Sequence, residues 1–247
     1  MAGHNKWKQI KRKKAVTDQR RGAAFTKLIK EITIAAKAGG GDSAGNARLR
    51  AAIDAAKAAN MPADNIDRAI KKGTGELEGV TYHEVSYEGY GPGGAAIFVE
   101  ATTDNPNRTV AELRNLFTKN GGNLGATGSV AWMFDRRGEI RLDATRLAED
   151  MAMEAALDSG AADFTREGDQ FVIATEVHDL HAVQEALRAK KIAWESAEIA
   201  MIPKNTVKVQ RGDASRLVRL MESIEEHDDV AKVFSNFDVD EEALAEV

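Results

Sequence analysis

A chain of 247 residues, 43% apolar and 30% charged, has the length for roughly one to three domains with a sizeable core and the composition of a globular protein rather than a disordered one. It has no cysteine, which excludes disulfides, thiolate nucleophiles and cysteine-ligated zinc; it also has no apolar run of about 18 residues for a membrane span, and its cationic start lacks the apolar core of a secretory signal. The net charge of −5 conceals two opposite halves: residues 1–72 carry 17 Lys and Arg against 6 Asp and Glu, a balance of +11, and residues 73–247 carry 17 against 33, a balance of −16. Clustered cations gain most by displacing counterions from a polyanion, so the basic part predicts a nucleic-acid partner.

The chain opens on a polar arm, residues 1–21, holding Lys6, Lys8, Lys11, Arg12, Lys13, Lys14, Arg20 and Arg21 against the single acid Asp18, with too little apolar content to fold alone. Beyond it, Phe25, Leu28, Ile29 and Ile32 fall at the spacing of an amphipathic helix ended by Gly39 to Gly41. Leu49, Ile53 and Ala56 form a second stripe over about 46–60. A third helix starts near Pro62, carries Ile66, Ala69 and Ile70, and stops at Gly73. These make a small three-helix bundle.

After a glycine-rich linker to Gly79 the period changes to that of strands, 82–87 and 95–101, joined by a turn containing Gly89, Gly91, Pro92, Gly93 and Gly94, which reads as a β-hairpin. A helix over 107–120, with Val110, Leu113 and Phe117 inward, and a strand at 130–134 complete a β-β-α-β unit. From Gly138 the order is strand 139–142, helix 144–159, strand 163–166, strand 170–175, helix 179–190 and strand 194–202, the ferredoxin-like β-α-β-β-α-β arrangement. The remainder, a short segment at 207–209, a helix carrying Leu217, Leu220, Met221 and Ile224, and a strand near 230–237, is too small to stand alone. The predicted fold is therefore α+β in three domains: a basic arm and helical bundle (1–75), an α/β domain from 76–135 with 204–247, and a ferredoxin-like domain (136–203) inserted into it.

Several strings invite a chemical reading. Trp7 among the arm's cations suits phosphate contact combined with stacking on an unpaired base, or docking in a protein groove. His4, Lys6, Trp7, Lys8, Lys11, Arg12, Lys13, Lys14, Arg20, Arg21, Lys27 and Lys30 are accordingly the expected nucleic-acid-binding residues. Gly89, Gly91 and Gly94 satisfy GxGxxG, yet lead into a strand and offer no helix amino terminus to a pyrophosphate. At Thr103 to Arg108, Asp104, Asn105 or Asn107 caps a helix and Pro106 stiffens its entry. The pair His178 and His181 lacks a third ligand, while Glu225, Glu226, Asp228 and Asp229 lack the alternating oxygens of a calcium loop and read as the solvated end of a helix. With no coherent catalytic set, neither an enzyme nor a cofactor or metal is expected.

MAGHNKW at 1–7, IKRKK at 10–14, NMPADNIDRAIKKGTG at 60–75, YEGYGPGGAAI at 87–97, TDNPNRTVAELR at 103–114 and GGNLGATGSVAWMF at 121–134 together resemble the YebC family over essentially the full chain. The resemblance implies a helical amino-terminal domain followed by two α/β domains. It also implies a bacterial, cytoplasmic, DNA-binding transcriptional regulator. Organellar relatives of the family are translational activators and some bacterial members act with the ribosome, so a factor that binds ribosomal RNA is the alternative expectation. Nothing in the sequence resembles a helix-turn-helix or zinc finger, so base-specific readout has no visible device.

Overall fold

The computed structural model describes Trp7 and residues 20–239, with side chains from Ala24 onward besides that of Trp7. Helices α1 (Arg20–Gly39), α2 (Ala47–Ala58) and α3 (Ala63–Thr74) form the predicted bundle around Ile32, Ala35, Ala36, Leu49, Ala56, Ile66 and Ala69. Small side chains let the helices close. A Cβ on Gly73 would stand 2.4 Å from the Thr33 carbonyl oxygen and 2.7 Å from the Ala36 Cβ, so this glycine marks the crossing of α1 and α3. It does not end α3, as the sequence suggested; the helix runs on to Thr74, and Gly75 takes the left-handed cap at φ 84°.

The next elements are β1 (His83–Tyr90), β2 (Ala96–Thr103), α4 (Pro106–Lys119), β3 (Asn123–Leu124) and β4 (Phe134–Asp143). Then come α5 (Glu149–Asp158), β5 (Asp163–Glu167), β6 (Gln170–Thr175), α6 (Leu180–Ala189), β7 (Ser196–Pro203), β8 (Val207–Lys208), α7 (Arg211–Glu226), β9 (Val230–Ser235) and β10 (Phe237–Asp238). The hairpin registers His83 on Thr103 through Tyr90 on Ala96. One four-stranded sheet has the order β3-β1-β2-β9 and a second β5-β6-β4-β7, the latter antiparallel throughout and ferredoxin-like in order, while β8 and β10 form a short parallel pair. Because β9 pairs with β2, the late helix and strand return to the first sheet, and the β4-to-β7 unit is inserted within the second domain.

Two local expectations are corrected. The 130–134 segment is not a strand of the first sheet: Ala131–Met133 forms a tight helical turn, Phe134 begins β4 of the inserted sheet, and the two-residue β3 supplies the fourth strand instead. On α4 the buried face is Thr109, Leu113 and Phe117, a strict i, i+4, i+8 row, while Val110 is only half-buried. The helix side of the first sheet packs Ile97, Val99, Leu113, Phe117, Leu217, Leu220 and Met221. Its other side sets Ala96, Phe98 and Phe234 against Phe134, Ala200 and Met201 of the inserted domain, with Lys232 bonded to Glu198 at 2.8 Å beside them.

Trp7 lies in the helix-side core of the second domain, 2% exposed, among Ala95, Val209, Leu217 and Phe237. This burial fits docking of the ring into the protein's own core rather than stacking on a base, since a large apolar ring gains more by entering a core than by standing in water.

Candidate nucleic-acid interface and the interdomain cleft

The charged groups of the bundle divide into those held by the other domains and those left at the surface. Lys27 and Lys30 lie one turn apart on α1, and both reach the carboxy-terminal end of α7. The Lys27 ammonium donates to the Glu225 carbonyl. Lys30, 7% exposed, donates to the Asp228 carbonyl at 3.0 Å and lies 2.6 Å from Asp229 Oδ1. Lys30 is therefore an interdomain strut and not a free cation, which corrects its expected role in gripping nucleic acid.

The second oxygen of Asp229 is equally engaged. It accepts from Arg108 Nη2 at 2.8 Å, Thr109 Oγ1 at 2.7 Å and Thr103 Oγ1 at 3.2 Å. The turn at Thr103 to Arg108 explains the geometry: Asn105 caps α4 by accepting the Arg108 N–H at 3.1 Å, and Pro106 fixes the first helical residue. Arg108 and Thr109 thus point together from the first turn of α4 at the loop between α7 and β9. Burial pushes the Asp229 carboxyl up, but hydrogen bonds from Lys30, Arg108 and Thr109 outweigh it and hold the group well below the usual carboxylate range.

His227 completes the cluster. Its Nδ1 accepts the Asp229 backbone N–H at 3.0 Å, so in the neutral ring Nε2 carries the proton and faces Glu112 Oε2 at 2.8 Å. Tyr82 covers Lys30 with its ring centroid 5.8 Å from Nζ, and burial first, then Asp104 and Asp229, pushes its hydroxyl up. These groups line a cleft of about 670 Å³. Glu112, His227 and Asp229 bring ligand atoms within 4.8 Å of one another, a spacing compatible with a metal ion. However, both Asp229 oxygens already face cations of the protein, and the His227 nitrogens are committed to Asp229 and Glu112. The cleft is built as an ionic lock between domains.

A second, exposed clasp joins the same domains. Arg48 of α2 holds Glu31 of α1 at 2.7 Å and Glu84 of β1 at 2.6 Å. Of the other expected contact residues, His4, Lys6, Lys8, Lys11, Arg12, Lys13 and Lys14 lie outside the described residues, and Arg20 and Arg21 form the first turn of α1. Lys37, Arg50, Lys57, Arg68, Lys71 and Lys72 are exposed, and among the described residues none of these six is ion-paired. Arg68, Lys71 and Lys72 share one face of α3 at i, i+3, i+4. Sequence reasoning missed Asp229, which it placed on a solvated helix end, and gave His227 no part. Arg108 stood in a marked string as a cation beside a helix start suited to an anion, not as a partner of Asp229.

Fold and cleft together define a three-domain α+β protein whose cation-rich helical domain is locked by ion pairs onto a sheet domain carrying a ferredoxin-like insertion. The chain belongs to the TACO1/YebC family: residues 5–76 match the model of the TACO1/YebC protein N-terminal domain, and residues 82–237 that of the TACO1/YebC second and third domain. It is 58% identical over 246 residues to a protein of Gemmatimonas aurantiaca described as a "Probable transcriptional regulatory protein", each chain covered fully. A protein of the same description from Chlorobium luteolum is 52% identical, over 99% of this chain and 98% of its own. The crystal structure of a conserved hypothetical protein from Aquifex aeolicus superimposes with a TM-score of 0.85 at 46% identity, covering 92% of this chain and 94% of that one. Among the described residues no helix is long and apolar enough to cross a membrane.

Proposed function

We propose that this protein is a non-enzymatic regulator of gene expression that binds nucleic acid, in the first instance DNA as a transcriptional regulator, through its basic amino-terminal arm and the exposed cations of the bundle. The charge partition carries the reading: a balance of +11 over residues 1–72 faces −16 over the rest. Lys30 and Arg48 are spent on internal pairs, whereas Arg68, Lys71 and Lys72 stand at the surface of α3. The acidic domains repel the same polyanion and so orient the basic end toward it. The names of the relatives agree with a regulatory role.

If about six cations meet duplex phosphates, affinity falls roughly a thousandfold between about 50 and 200 mM salt. Replacing Lys11, Arg12, Lys13 and Lys14 together by alanine is expected to abolish most binding while leaving the unfolding midpoint unchanged. Unaltered binding by that folded variant, or binding indifferent to salt, defeats the reading. Polysome sedimentation before and after a high-salt wash separates DNA from ribosomal RNA, because a DNA regulator stays out of the ribosomal fractions.

A further inference from the structure

The segment between β3 and Trp132 takes no part in the ion pairs above, and it presents an exposed aromatic ring on a rigid mount. Trp132 is 65% exposed. Its indole N–H donates to the Ser129 carbonyl at 3.1 Å, so the one polar atom of the ring is satisfied inside the loop and the remaining outward surface is aromatic. The mount is Glu88, buried in β1, whose carboxylate accepts the N–H groups of Gly128, Val130 and Ala131, each at 2.7 Å. Tyr90 Oη adds a bond to the Ser129 carbonyl at 2.9 Å, and Gly125 N–H one to the Glu88 carbonyl at 2.8 Å. Burial works to raise the Glu88 carboxyl, yet the three N–H bonds prevail and hold it below its ordinary value, so the clamp stays charged at neutral pH.

The surroundings select the occupant. Ala126, Thr127 and Gly128 of the same segment are exposed and small, and they do not form the wide apolar collar of a protein hot spot. A cation reaches the backbone of the same residue: Lys204 Nζ donates to the Trp132 carbonyl at 3.0 Å and lies 3.4 Å from Asp135 Oδ1, and Arg136 is exposed four residues on. A π-face with no free donor, next to an ammonium, matches a nucleotide, whose base stacks without hydrogen-bond readout while its phosphate meets the cation.

We propose that Trp132 and Lys204 form a base-stacking site that takes an unpaired nucleotide of a single-stranded nucleic acid, distinct from the phosphate-gripping arm. The inference rests on the nucleic-acid reading but not on the arm as its carrier. It is tested with the full chain carrying 5-fluorotryptophan, whose three indoles give fluorine resonances assigned through W7F, W132F and W194F. Short oligouridylate and oligothymidylate are the probes. The Trp132 resonance is expected to shift on binding while those of Trp7 and Trp194 stay in place. W132A is expected to weaken binding about tenfold, W132Y to retain most of it, and K204A to reduce its salt dependence. An immobile Trp132 resonance at saturation, or W132A binding as the parent does, overturns the site. If binding is then lost with the Lys11 to Lys14 alanine variant, the arm reading stands alone. Binding that persists in that variant with Trp132 shifted supports the stacking site and defeats the arm. No binding of either probe overturns both, and a preference between the probes identifies RNA or DNA as the source.

Discussion

Asp229 joins three stretches of chain that are far apart in sequence, with Lys30 at a separation of 199 residues and Arg108 at 121. Its side chain and that of Lys30 are nearly inaccessible, so removing one charge leaves the other buried without its partner. Such a loss costs about 3–5 kcal/mol, whereas an exposed pair contributes about 1 kcal/mol or less. Asp229→Asn, which preserves shape and removes charge, is therefore expected to lower the urea midpoint sharply; Arg48→Ala at the exposed clasp is expected to leave it nearly unchanged. The pH dependence follows in sign. The folded carboxyl is held below its unfolded value near 3.9, so its stabilisation is fully present above that value and is lost as the pH falls through and below it. Acid titration of the unfolding free energy is expected to show this decline in the parent and a shallower one in Asp229→Asn. None of this was legible in the sequence, where Asp229 stands in an acidic run indistinguishable from a solvated helix end. An acid acquires its meaning from cations that only the tertiary fold delivers.

At the scale of elements the periodic signals carried over well. The bundle, the hairpin and the β-α-β-β-α-β order follow from apolar spacing, because burying one face dictates the positions of Ile32, Leu49 and Ile66 as much as those of Ile140 and Ile173. The failures fall where a glycine or a short strand is specified by a neighbour. Gly73 resembles a stop signal, yet its lack of a side chain serves helix packing, and β3 is two residues long because only its pairing with β1 defines it. Magnitudes test the first point. Alanine for glycine inside a helix ordinarily gains about 1 kcal/mol, but a Cβ held 2.4 Å from the Thr33 carbonyl forces α1 and α3 apart, at a cost of about 1–3 kcal/mol. Gly73→Ala is thus expected to lower the thermal midpoint despite its better propensity. A raised midpoint would mean that the crossing yields freely.

Across the whole molecule, the charge partition is tied to the fold by one apolar residue. Trp7 lies among the cations of the arm in sequence and in the second domain's core in space. Stacking and anchoring predict different mutant behaviour. Among the described residues the indole N–H of Trp7 has no hydrogen-bond partner, so phenylalanine forfeits only size, while alanine leaves a cavity in the core that costs about 3–5 kcal/mol. For an anchor, Trp7→Ala lowers the unfolding midpoint of the second domain with or without nucleic acid, and Trp7→Phe remains close to the parent in both stability and affinity. For a stacking residue the order reverses: both variants keep the parental midpoint, and affinity falls from Trp to Phe to Ala. Denaturation and nucleic-acid titration of the two variants, carried out side by side, decide between them, and a parental midpoint in Trp7→Ala would return Trp7 to the binding surface.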